Sequence, residues 1–455
     1  MQPEVMIVEA RSRGVLWTAE HRTTTVASLL VVTLIAFESM GVATAMPTMV
    51  ADLEGQRLYS WPFTAFLVAS VVATVLSGRV CDRRGPAIPM IAGPGLFLAG
   101  LVVAGTATDM ALLLAGRVLQ GLGSGIVLVA VSLLIALVYT DRERPVMYAA
   151  NAAAWVLPAV VGPTVAGLIT EHLGWRWVFL GLVPLALVGL LMLIPVARRL
   201  THTAGAGQRR AGVLVALAAA AGVAALTWAA QHPSPAALGY GAAGLLALAI
   251  AVRRLVPPGT VTARPGLPTV VASRALLGGA FAGMEAYLPL AMATVHGYSP
   301  ALAGLPLTAS ALTWSAASAV QGRHPDWSRE KLLRAGFGMV AVAVLLFGFV
   351  AQPWFPGWLA FVACLLGGAG MGIAYPSISL LLLRFSPEHE RGFNTSAMQL
   401  GDWVTSALTV GFGGVLLGLL ASAHEPAPAL GVLALTLAAL AVVGVVITRR
   451  WPTRE

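Results

Sequence analysis

The chain of 455 residues is 58% hydrophobic and only 10% charged, with a mean hydropathy of +0.83 and a formal net charge of +9. Soluble domains average roughly a quarter charged residues, so lipid is the expected solvent. The positive charge is dispersed over short loops, which argues against nucleic acid as a partner, and Cys81 at a loop edge and Cys364 in an apolar run imply no disulfide framework.

Residues 1–22 are polar and basic. The apolar run behind them is too long for a signal-peptide core and lacks a small-residue cleavage site, so it reads as a retained first span. Runs able to cross a hydrocarbon core as helices lie near 26–48, 61–80, 87–106, 112–138, 146–170, 177–197, 211–230, 236–252, 270–294, 300–320, 333–351, 358–383, 392–421 and 428–447, fourteen predicted spans. The connections between them are short, as in Gln231-His232-Pro233-Ser234-Pro235, and leave no room for a soluble domain.

Basic residues set the orientation. Lys331 is the only lysine, and all but Arg57, Arg117 and Arg176 of the 28 basic residues fall in every second connection or at the termini, for example Arg79, Arg83 and Arg84, or Arg253, Arg254, Arg264 and Arg274. This is the positive-inside pattern, and with an even number of spans it puts both termini on the cytoplasmic side of a plasma membrane.

An internal repeat organises the spans. Gly121-Leu122-Gly123-Ser124-Gly125 recurs as Gly368-Ala369-Gly370-Met371-Gly372, and the same offset carries Glu38 onto Glu285 and Arg117 onto Cys364. Gly78-Arg79-Val80-Cys81-Asp82 recurs as Gly322-Arg323-His324-Pro325-Asp326, and Val161-Gly162 as Val410-Gly411. The predicted architecture is an all-α integral membrane protein of two parallel six-helix bundles, 23–197 and 268–448, joined by a linker at 198–267 that contains spans 7 and 8. Segments 1–22 and 449–455 are the cytoplasmic ends. Spans 7 and 8 carry no charge between 211 and 252 and read as an inserted hairpin with nothing to offer a substrate.

At membrane depth stand Glu38 in span 1, Glu285 in span 9 and Asp402 in span 13, each near the midplane at about 1.5 Å per residue. A lipid-facing carboxylate there is expensive, and transporters place substrate and coupling-ion sites at this depth. Arg117 in span 4 keeps its proton at physiological pH and requires a polar cavity or a partner. The eight histidines all fall in loops or at their edges. Trp155, Tyr287, Trp314 and Trp403 are candidate aromatic walls for a lipophilic cation, beside the alternative that they merely pack.

Three segments resemble the major facilitator superfamily, and within it the 14-spanner drug:proton antiporters. Gly78-Arg79-Val80-Cys81-Asp82-Arg83-Arg84-Gly85 is similar to the superfamily's loop signature, although Pro86 stands where a basic residue is usual. The resemblance implies a cytoplasmic gate in which Gly78, Asp82, Arg83 and Gly85 take part. Arg117-Val118-Leu119-Gln120-Gly121-Leu122-Gly123 resembles the intramembrane arginine motif, which implies a role for Arg117 in proton coupling and a place for Gln120 in the cavity wall. Gly162-Pro163-Thr164-Val165-Ala166-Gly167 resembles the antiporter motif, with Gly162, Pro163 and Gly167 as its bend and packing positions. Glu38 precedes Pro47 by nine residues, the spacing at which the family usually has Asp.

The function these observations imply is proton-coupled export of a hydrophobic or cationic small molecule by alternating access, by a monomer without cofactors. Glu38, Glu285, Asp402 and Arg117 are the coupling candidates, and Gln120, Trp155, Tyr287 and Trp403 the cavity candidates. A carrier of a lipid or secondary metabolite, an importer, and a non-transporting sensor are the alternatives. A Walker-type phosphate loop needs Gly-Lys, whereas Lys331 follows Glu330, and neither a nucleophile elbow nor a paired-histidine zinc motif occurs. Neither an ATP-driven pump nor an enzyme is expected.

Overall fold

A computed structural model describes residues 16–19, 21–140, 143–200, 211–231, 235–324, 326–387, 390–421 and 425–449. Its long helices are α1 Arg22–Asp52, α2 Trp61–Arg84, α3 Ala87–Gly105, α4 Met110–Val138, α5 Arg144–His172, α6 Val183–Arg199, α7 Ala211–Gln231, α8 Pro235–Leu255, α9 Leu267–Thr294, α10 Pro300–Arg323, α11 Arg329–Val350, α12 Leu359–Phe385, α13 Arg391–Leu420 and α14 Ala427–Arg449. Most of segment 1–22, the linker stretch 201–210 and the tail from 450 lie outside the described residues.

Among the described residues twelve segments are long and apolar enough to cross a membrane, and the chain is a multi-pass membrane protein. Two of the fourteen predicted spans fall outside that set. One is α7, although Thr227 is the only polar side chain in its residues 211–230. In α10 the hydroxyls of Thr308, Ser310, Thr313, Ser315 and Ser318 lower the hydropathy. Thr313 bonds the Ala309 carbonyl of the preceding turn, and Thr308 and Ser318 bond Thr164 and the Gly372 carbonyl of neighbouring helices, so a helix buried among others tolerates them.

The packing of α1–α6 recurs in α9–α14. The pairs α1/α5, α1/α6, α2/α4, α3/α4 and α3/α6 correspond one for one to α9/α13, α9/α14, α10/α12, α11/α12 and α11/α14. The repeated glycines explain how α4 and α12 wedge between their neighbours. A Cβ at Gly121 or Gly125 would strike the Phe66 or Ser70 carbonyl of α2, and one at Gly123 would stand 2.7 Å from the Gly93 carbonyl of α3. In the second half, Gly368 and Gly372 meet the Ser310 and Trp314 carbonyls of α10, and Gly370 lies 2.8 Å by the same measure from the Gly336 carbonyl of α11. Small residues thus let backbones touch, as membrane helices require for van der Waals contact.

Between the two halves, α5 packs on α10, α2 on α13 and α1 on α9. The α5/α10 seam closes at the end away from the arginine-rich connections. A Cβ at Gly167 would lie 2.6 Å from the Pro300 carbonyl, one at Gly304 would lie 2.6 Å from the Pro163 carbonyl, and the Thr164 and Thr308 hydroxyls bond at 2.8 Å. At the same end the Tyr59 hydroxyl donates to the Ala286 carbonyl at 2.9 Å. Helix α7 packs on both α2 and α13, and α8 packs on α7. The pair predicted as a mere linker therefore seats one helix along a seam between the two halves.

Candidate functional site

Where α4 is drawn against α2 by its glycines, Arg117 is carried inward. Its guanidinium forms an ion pair with Glu38 of α1. It also donates through Nε to the Pro62 carbonyl at 3.1 Å and through Nη1 to Gln120 Oε1 at 2.7 Å, and it stacks 4.5 Å over the Phe66 ring. Glu38 is 0% and Arg117 2% exposed. The ion pair answers the requirement of a buried charge for a partner, yet it leaves two buried polar atoms, Glu38 Oε2 and Gln120 Nε2, without any.

The second half repeats the acid and not the base. Glu285 takes the place of Glu38 and Cys364 that of Arg117. The Cys364 thiol and Tyr375 hydroxyl lie within electrostatic reach of the Glu285 carboxylate. Glu285 is half-buried, and among the described residues no ion pair is formed by it.

Asp402 is partnered instead by a residue that the charge pattern hid. Arg274, assigned to a cytoplasmic connection by its neighbours in sequence, lies seven residues inside α9 and donates through Nε to Asp402 Oδ2 at 2.8 Å. Tyr375 donates to the same oxygen at 2.8 Å, and the Arg274 guanidinium rests 3.4 Å over its ring. Trp314 stands edge-on to both Tyr375 and Phe281, at 5.2 and 5.7 Å. The signal that could have found Arg274 is its spacing: it follows Arg264 by ten residues, too far into an apolar run for a loop.

The remaining predicted positions divide. Gln120 is wholly buried on Arg117, as described. Tyr287 is no cavity wall: it is fully buried, its hydroxyl bonds the Val410 carbonyl at 2.5 Å and its ring lies 5.3 Å from Tyr59. Trp155 and Trp403 are half-buried, on α5 and α13. Gly78, Asp82 and Arg83 belong to the last turns of α2 rather than to a loop, and the turn comes at Gly85, whose φ of +75° suits glycine. A Cβ at Gly78 would meet nothing within 4 Å, so no close helix approach occurs there. The Asp82 side chain lies outside the described part. Gly162 faces Met40 and Phe37 of α1, whereas Pro163 and Gly167 form the α5/α10 seam.

Paired six-helix halves with buried charges at membrane depth define a membrane protein of transporter architecture. The chain belongs to the Major Facilitator Superfamily, whose family model matches residues 28–410. It is similar to the Acurin A biosynthesis cluster MFS-type transporter of Aspergillus aculeatus, 34% identical over 163 residues, or 36% of this chain and 29% of that protein. To the multidrug transporter protein MdtP of Bacillus subtilis it is 33% identical over 165 residues, 36% of this chain and 30% of that protein. These matches thus span less than a third of either relative. Among solved structures, a POT family transporter in complex with 5-aminolevulinic acid superposes with a TM-score of 0.70 at 12% identity, over 94% of this chain and 96% of that one, a likeness of fold alone.

Proposed function

We propose that the protein is a proton-coupled secondary transporter of the 14-spanner drug:proton antiporter type, exporting a hydrophobic or cationic small molecule across the plasma membrane as a monomer. The observation that carries this reading is the buried Glu38–Arg117 pair with one carboxylate oxygen unpartnered. A proton on Glu38 removes half of the ion pair and weakens the tie between α1 and α4, while Arg117 keeps the Pro62 carbonyl, Gln120 and Phe66. Loss of the proton restores the tie. A buried pair with two stable arrangements is the kind of element through which a proton biases alternating access.

In this reading both termini are cytoplasmic, α7 and α8 are a transmembrane linker hairpin, and the contacts at Gly167, Gly304 and Tyr59 are the closed outer gate of an inward-facing state. The gate residues Gly78, Asp82, Arg83 and Gly85 meet the other half only in the opposite state, which agrees with the empty space at Gly78. Glu285, the unpaired acid, recognises the positive charge of a cationic substrate, with Trp155 of α5 and Trp403 of α13 as the aromatic candidates and Arg274–Asp402 fixing α9 to α13. Multidrug relatives such as MdtP favour the drug-efflux form. A carrier of a secondary metabolite is the second reading, favoured by the Aspergillus relative.

Uptake into inverted vesicles under an imposed pH gradient, with a panel of lipophilic cations and neutral compounds, tests the proposal. Gradient-driven accumulation that collapses with a protonophore supports it. Saturable binding without accumulation for every compound would leave a sensor or a carrier of another substrate.

A further inference from the structure

A cavity of about 270 Å³ opens between α8, the connection 256–263, α9, α13 and α14, and neither Glu38, Arg117, Arg274 nor Asp402 lines it. Its walls include Leu248, Leu255, Val271, Leu400, Val404 and Val443. The side-chain hydroxyls in the lining are Thr260 and Thr405, and Thr260 already donates to the Pro257 carbonyl at 2.7 Å. Nothing in this lining would hold a charged or strongly polar ligand, whereas an alkyl chain is matched by it throughout.

The mouth is different. Arg253 and Arg254 flank the lining residues Val252 and Leu255, and Arg264 follows Ala263. All three arginines are exposed, and among the described residues none of them forms an ion pair. Arg274, counted with them in sequence, is spent on Asp402. The connection is held in place: Gly259 and Gly266 turn it with φ of +89° and +98°, Ala263 adopts φ of +46°, and the Thr269 hydroxyl at the start of α9 bonds the carbonyls of Ala263 and Arg264 at 3.0 and 2.8 Å. Val261 is 78% exposed beside the arginines, as suits a segment lying at headgroup depth.

We infer that this cavity is a binding site for an anionic phospholipid of the leaflet on the arginine-rich side, with its phosphate on Arg253, Arg254 and Arg264 and an acyl chain between α8 and the α9/α13/α14 wall. Clustered arginines near a membrane surface attract anionic headgroups. The bound chain fills space that helix contacts leave open, because α8 touches α13 only weakly. The lipid thereby joins the α7/α8 pair to the second half of the molecule.

Native mass spectrometry of the purified full-length protein tests this, with phosphatidylglycerol and phosphatidylcholine of identical chains titrated after delipidation. The wild type should retain phosphatidylglycerol at least tenfold more tightly, and excess glycerol phosphate should not displace it. Arg253→Gln with Arg254→Gln and Arg264→Gln should abolish the preference. Ala272→Leu, which narrows the cavity and leaves every charge in place, should lower retention of the same lipid. Equal retention of the two lipids, an unchanged preference in the triple variant, or displacement by glycerol phosphate would overturn the inference. The measurement uses neither a pH gradient nor a transported compound, so it stands or falls apart from the transport reading.

Discussion

Glu38 and Arg117 show how much one missing partner matters. Replacement of the acid by its neutral isostere removes the charge that a proton would remove, so Glu38→Gln should abolish gradient-driven accumulation in inverted vesicles, by tenfold or more, while exchange of substrate without a gradient persists. Wild-type accumulation by Glu38→Gln would move the coupling role to another acid. Glu285→Gln separates recognition from coupling: transport of lipophilic cations should fall at least tenfold, and transport of neutral compounds should change little. The third acid is structural in this scheme. Breaking a buried pair from one side costs about 3–5 kcal/mol, whereas removing both charges costs far less. Arg274→Gln should therefore lower the thermal unfolding temperature in detergent clearly, and Asp402→Asn added to it should recover most of the loss.

At the level of elements, the glycine wedges and the α5/α10 seam make opposite demands. Gly123→Leu would drive side-chain atoms into the Gly93 carbonyl and Phe97 of α3, and overpacking of this kind costs about 1–3 kcal/mol or more. Poor yield of folded protein is the expected result, whereas Gly78→Ala, with open space around it, should fold as the wild type does. The seam is a contact that must break and reform if access alternates. Cysteines placed by Thr164→Cys and Thr308→Cys should cross-link on oxidation, and the cross-link should stop transport while leaving substrate binding from the arginine-rich side. Absence of a cross-link in a well-folded pair would mean that this seam does not close in the membrane.

The whole molecule is read through its topology. Fourteen crossings put Ser234 and Ser422 outside and Thr203 inside; all three lie outside the described residues, in connections between helices. Single cysteines there should react with impermeant reagents in intact cells at Ser234 and Ser422 only. Protection of the Ser234 position would place α7 and α8 on the cytoplasmic side and reduce the protein to twelve spans. Replacement of the α7/α8 pair by a flexible linker is a sharper matter than its charge-free sequence suggests, since α7 lies along α2 and α13. Substrate binding should survive, and the unfolding temperature should drop.

Much was legible in the sequence because lipid imposes simple rules. Without water in the bilayer core every backbone group must bond within its own segment, so apolar runs of sufficient length become helices and nothing else. The repeat was legible for a related reason: glycines at a two-residue spacing serve close backbone contact in both halves, and close contact tolerates no substitute. What the sequence left open is which charges meet. It grouped Arg274 with the loop arginines and ranked Glu38 above Glu285 and Asp402 only by its spacing to Pro47, because depth along a helix says nothing of what stands across from it. Only the packing of α4 against α1 and α2, and of α9 against α13, paired two of the acids with arginines and left the third without one. A partner 79 or 128 residues away is chosen by helix rotation and crossing, which no local pattern of residues records.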